Sequence, residues 1–120
     1  MKIRISKLDK LFSLYIRSRA GWTCERCHKR YQPPTSGLHA SHFHGRRKKS
    51  VRYDPENAAA LCFGCHRYYT ENPAAHTEWF KKRLGEKRFD ALTLRANLGR
   101  KPDLALIEIW LKKELKNVSS

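Results

Sequence analysis

Apolar residues recur at helical spacing near the start of the chain. Leu8, Leu11, Phe12, Tyr15 and Ile16 fall on one stripe, with Lys7, Lys10, Arg17 and Arg19 opposite. The spacing predicts an amphipathic helix from Ser6 to Ala20, capped by Ser6 and stopped by Gly21, its basic face solvated. Leu38 to Phe43 is short and alternates weakly, which predicts a strand carrying His42. Alternation puts His42 with Ala40 and His44 on one face and His39, Ser41 and Phe43 on the other, unless a bulge intervenes. Val51-Arg52-Tyr53 predicts a second short strand, and Asp54-Pro55-Glu56-Asn57 the turn out of it. A short helix is expected from Cys65 to Glu71, with His66 in its first turn.

The last third reads as helical. Asn72-Pro73 is a start signal, with Asn as cap and Pro at the first position, and Gly85 is the stop. A second helix runs from Phe89 to Leu98 and ends at Gly99. A third opens at Pro102 with Leu104, Ile107, Leu111 and Leu115 as its stripe. Leu106, Ile109 and Trp110 add a second apolar edge, which suits packing within the chain or against a second copy. Val118-Ser119-Ser120 is expected to fray. The segments divide into an N-terminal helix (1–21), a central unit (22–72) and a helical extension (73–120).

Composition adds a partner class. Lys+Arg number 26 against 11 Asp+Glu, giving a formal charge of +15 and a pI near 10.1. That charge points to a polyanion, most simply nucleic acid, and an RNA-packed protein would share it. The 120 residues, 40% hydrophobic, support one small core that a metal staple would strengthen. The N-terminal MKIRISKLDK has no continuous apolar stretch and no run is long enough to span a membrane, so the expected location is intracellular.

Chemistry enters with the cysteines. Cys24-x-x-Cys27 and Cys62-x-x-Cys65 have the spacing of one tetrahedral structural Zn²⁺ site. No βαβ pattern surrounds either pair, which disfavours a thioredoxin-like redox role. His28 follows Cys27 directly, but four thiols already fill the shell, so it reads as exposed. His39, His42 and His44 lie between the pairs, and His66 follows the second.

The order Cys24-x-x-Cys27, Ser41-His42, Asn57, Cys62-x-x-Cys65-His66 resembles the HNH (ββα-metal, or His-Me finger) endonucleases. Ser41-His42-Phe43-His44-Gly45-Arg46-Arg47, followed by Val51-Arg52-Tyr53-Asp54-x-x-Asn57, looks most like the phage recombination endonucleases of the NinG/Rap type. The resemblance covers about residues 22 to 90, and the end helices only loosely. It implies a small α+β protein: a ββα-metal core held by a four-cysteine structural zinc, flanked by N- and C-terminal helices. It implies His42 as general base, His66 as ligand of a catalytic Mg²⁺ or Mn²⁺, and Asn57 as the residue that orients His42 or braces the loop.

Ser41 departs from that pattern, because Asp or His usually precedes the base and a hydroxyl is a poor ligand for a hard cation. Three explanations stay open: Ser41 acts through water, His39 or His44 takes the ion, or the ion is weak or absent and the module only binds DNA. Arg46, Arg47, Lys48, Lys49 and Arg52 are expected to grip phosphates beside the cut. Tyr68, Tyr69 and Trp79 read as core aromatics rather than base-stacking platforms, and His76 as structural or exposed. The implied function is metal-dependent DNA endonuclease activity, on duplex or branched recombination DNA, with a homodimer suited to two-strand cutting. The alternatives are a zinc-stabilised nucleic-acid-binding module without catalysis and a general HNH nicking or packaging nuclease.

Overall fold

The computed structural model describes residues 2–119, with side chains from 7 to 118. Its elements are α1 (Lys2–Arg19), β1 (Leu38–His42), β2 (Ala58–Cys62), α2 (Phe63–Glu71), α3 (Pro73–Leu84), α4 (Glu86–Leu98) and α5 (Leu104–Ser119). This is a mixed α+β fold in which the two strands pair antiparallel and α2 follows β2 without a loop. α1 begins at Lys2, so Ser6 lies inside the helix, and its side chain, the expected cap, is outside the described residues.

The second strand is a correction. Val51-Arg52-Tyr53 does not pair; Lys49–Val51 forms a 3-10 turn, and Ala58–Cys62 is the strand. Every residue of β2 is buried, because helices cover the sheet on both sides. Ala58, Ala60, Leu61 and Cys62 join the cluster built on Leu8, Phe12, Ile16 and Leu111. Ala59 points the other way, into the cluster of Val51, Phe80, Leu84, Leu92 and Ala96. A strand buried on both faces loses the polar alternation that marks a half-exposed one. Val51 and Tyr53 are buried as anchors of the connection between the strands.

The helices follow the start and stop signals with shifts. Cys62 caps α2, its sulfur accepting from the Cys65 amide at 3.4 Å. Pro73 opens α3 as expected, but Asn72 does not cap it; its side-chain amide donates back to the Tyr68 carbonyl at 2.8 Å. Gly85 turns between α3 and α4 at φ +85, and α4 starts at Glu86 rather than Phe89. Asp103 caps α5, accepting from the Leu106 amide at 3.1 Å. α5 continues through Val118 to Ser119 instead of fraying, and Ser120 lies outside the described residues.

α5 packs within the chain. Leu111 is fully buried against α1, and Trp110 meets Tyr15 edge-on at 5.3 Å. The second edge stays open, with Leu106 and Ile109 more than half exposed. The basic face of α1 is also not simply solvated. Arg19 donates to the Pro55 and Ala58 carbonyls, both at 3.1 Å, and Arg17 to the Thr35 carbonyl at 3.2 Å. No described helix is long and apolar enough to cross a membrane.

Candidate functional site

The two Cys-x-x-Cys turns meet. The four sulfurs of Cys24, Cys27, Cys62 and Cys65 all lie within 4.8 Å of one another, which is compatible with a structural metal ion such as zinc. The turns share a construction: the Cys27 amide donates to the Cys24 sulfur at 3.5 Å, as the Cys65 amide does to Cys62 at 3.4 Å. His28 takes φ +66, which lets the chain leave the first turn, and it is exposed and outside the cluster, as expected. Without a cation the thiols disagree about their charge. Burial pushes Cys65 up to about 12, whereas at Cys24 amide donation from Cys27 and its neighbours outweighs burial and brings the thiol to about 7. A divalent ion held by the four sulfurs would remove that conflict by favouring the thiolate at every position.

Glu25, between the first two cysteines, ties this cluster to the rest. Its amide donates to the Ala60 carbonyl at 2.8 Å, and its carboxylate accepts from the Ala60 amide at 2.6 Å and from Arg83 of α3 at 2.8 Å. It thereby satisfies the free edge of β2.

A second centre lies at the end of β1. Ser41, His42, His66, Tyr69 and His76 are among the residues lining a cleft of about 350 Å³. Hydrogen bonds fix the tautomers. The His42 Nε2 lies 2.8 Å from the Arg52 carbonyl, which only accepts, so Nε2 carries the proton and Nδ1 keeps a free lone pair. The His39 Nε2 likewise donates to the Ser36 carbonyl at 3.1 Å, so its Nδ1 accepts from the His66 Nδ1 at 3.0 Å. In this neutral chain the His66 Nε2 holds the free lone pair. Burial lowers the pKa of His42, His66 and His76 below the ordinary 6.5, which favours the neutral, electron-donating imidazole.

The remaining predicted residues divide. Asn57 is fully buried and braces the loop: its Oδ1 accepts from the His44 amide at 2.8 Å, and its Nδ2 donates to the His44 and Val51 carbonyls at 2.9 and 3.0 Å. None of these bonds reaches the His42 ring. His44 is not among the cleft residues; its ring packs on Phe43 at 4.9 Å. His39 also stays outside the cleft and supports His66 instead. Arg52 is not a free phosphate contact, because its guanidinium makes two hydrogen bonds to Asp9, at 3.1 and 2.7 Å. Its backbone carbonyl is what holds His42. Arg46, Arg47, Lys48 and Lys49 are exposed, Arg46 lying 4.0 Å from Asp9 and Lys48 3.4 Å from the Asn97 side chain.

Sequence reasoning missed His76. The residue sits on α3 three and four positions before Trp79 and Phe80, on the stripe that faces the core. A histidine on an apolar stripe was the available signal. Tyr69 and Trp79 are core aromatics as read, while exposed Tyr68 lies under the Arg26 guanidinium at 4.3 Å.

No family model, no curated protein and no solved structure matches the chain.

Proposed function

We propose that the protein is a zinc-stabilised, metal-dependent DNA endonuclease of the ββα-metal type, with His42 as general base. The observation that carries this reading is His42 itself: one nitrogen is anchored to the Arg52 carbonyl and the other is free, in a cleft shared with His66. A base must be neutral near pH 7 and oriented; burial favours the neutral His42 ring and the Arg52 carbonyl orients it. The antiparallel pair of strands running directly into α2 supplies the strand-strand-helix order of that class. The four-sulfur cluster supports Zn²⁺ as its structural ion.

The cleft also suits a divalent ion. It offers the His66 lone pair and the Ser41 Oγ, which is buried without a partner among the described residues. When bound, such an ion supplies positive charge at the scissile phosphate and the leaving oxygen. His42 takes the proton of the attacking water. Asn57 keeps the loop closed so that the Arg52 carbonyl stays in place beneath His42. Arg46, Arg47, Lys48 and Lys49 form an exposed basic run that begins four residues after His42 in the chain and supply sequence-independent phosphate contacts. The substrate is DNA, duplex or branched, and the open Leu106–Ile109 edge is the surface a two-fold dimer would use.

Cleavage of labelled linear and four-way-junction DNA, with wild type beside His42→Ala, tests the reading. Cutting by wild type alone, with DNA binding kept in the variant, supports the enzyme. Binding by both without cutting under any divalent ion supports the non-catalytic module instead.

A further inference from the structure

His76 is held as a ligand would be. Its ring stacks on Tyr69 at 4.9 Å with 13° between planes, and meets Phe43 and Phe80 edge-on at 5.2 and 5.6 Å. Yet its Nε2 is buried with no hydrogen-bond partner among the described residues. A core histidine normally directs its nitrogens to partners, because an orphaned buried polar atom gives up the hydrogen bond it had in water. A second orphan lines the same cleft: the Ser41 Oγ, in a residue only 1% exposed. Across from them, the Ser36–His39–His66 chain leaves the His66 Nε2 bare, with a supporting hydrogen bond of the kind that orients metal-binding histidines. No carboxylate is among the residues lining the cleft.

We propose that His76 joins His66 as the second protein ligand of the cleft's divalent ion, and that this ion is an imidazole-preferring transition metal rather than Mg²⁺. The ion's purpose rests on the nuclease reading; its site rests on the two histidines and the buried serine. Mg²⁺ demands oxygen ligands, whereas imidazole suits zinc, nickel, iron and their neighbours. Among the described residues only the cysteines gather three or more such donors within 4.8 Å, so the site we propose is limited to the two histidines as nitrogen ligands. Water and a substrate phosphate complete its shell. The position that Ser41 leaves without a charged donor is thereby supplied from α3, outside the strand-strand-helix unit.

The test uses protein already carrying one zinc per chain, titrated with a second equivalent of Zn²⁺ and followed by long-range ¹H–¹⁵N correlation of the histidine rings. The Nε2 signals of His66 and His76 should move together and saturate, with His28 unmoved. His76→Gln should weaken the second ion by at least ~10-fold while retaining the first. If His76→Gln melts early, His76→Phe preserves the stack on Tyr69 and carries the same comparison. Equal affinity in the folded variant, or movement confined to His39 and His44, overturns the proposal. DNA cutting separates the two readings. Wild type that binds the second ion and never cuts DNA defeats the nuclease and leaves the site standing. A His76 variant that cuts with Mg²⁺ at the wild-type rate defeats this site and leaves the nuclease.

Discussion

The cysteine cluster and the histidine cleft are both built from metal-binding side chains, and the fold treats them differently. The four sulfurs converge within 4.8 Å, and two turns repeat the same amide-to-sulfur bond. The histidines are each aligned separately, by the Arg52 carbonyl, by His39, and by the rings around His76, without closing into one shell. A structural site gains by being complete, since ion binding then contributes to folding; a reactive site must leave positions for water and substrate. The difference teaches that donor type alone does not tell the roles apart, whereas the degree of closure does.

Chelation should draw the contrast most sharply. Removing the cysteine-bound ion should cost on the order of 10 kcal/mol and abolish cooperative thermal melting by circular dichroism. A melt indifferent to a strong chelator would put the cysteines outside the folding energy. On the other side of the comparison, His42→Ala should lower cleavage by about 10²- to 10⁴-fold while binding of DNA persists. A variant that still cuts at the wild-type rate removes His42 from the base role.

The pH profile refines this. Burial holds the His42 pKa below 6.5, so cleavage should rise with pH through a midpoint under that value and then level off. Stability shares the sign: below 6.5 the unfolded chain binds protons that buried His42 resists, so stability falls as the solution is acidified. A rising limb centred above 6.5 in the rate profile would contradict the buried, neutral base.

Smaller effects probe the frame. Asp9→Ala removes both hydrogen bonds to Arg52 and should destabilise by about 2 kcal/mol in a denaturant melt. Arg47→Ala should leave stability within about 0.5 kcal/mol and reduce the salt dependence of DNA binding by about one phosphate contact. Equal melts for the two variants would mean that the Asp9–Arg52 pair is no strut.

The cysteine spacing made the first centre legible from the chain alone, because a metal turn needs few residues and a fixed interval. The helix start at Pro73 and the stops at Gly85 and Gly99 were legible for a similar reason, each resting on one residue's backbone preference. The strand at Ala58–Cys62 was not. Alanine favours strands poorly, and burial on both faces erased the alternation, so the β-branched Val51 beside Tyr53 attracted the assignment instead. The cleft was half legible. His42 and His66 stood in a recognisable order, but the tautomer-setting carbonyls of Ser36 and Arg52, and the approach of His76, depend on tertiary placement.

Glu25 gives the cysteine cluster a reach beyond its own turn. One carboxylate joins the edge of β2 to Arg83, on the same helix as His76. The placement of that helix is therefore keyed to the residues between the first two cysteines, so a disturbance of that turn would be passed on to the cleft. If the cleft cuts DNA, the order of assembly is set by this brace: a chain whose first cysteine turn has not closed would lack the strut that seats the helix of His76.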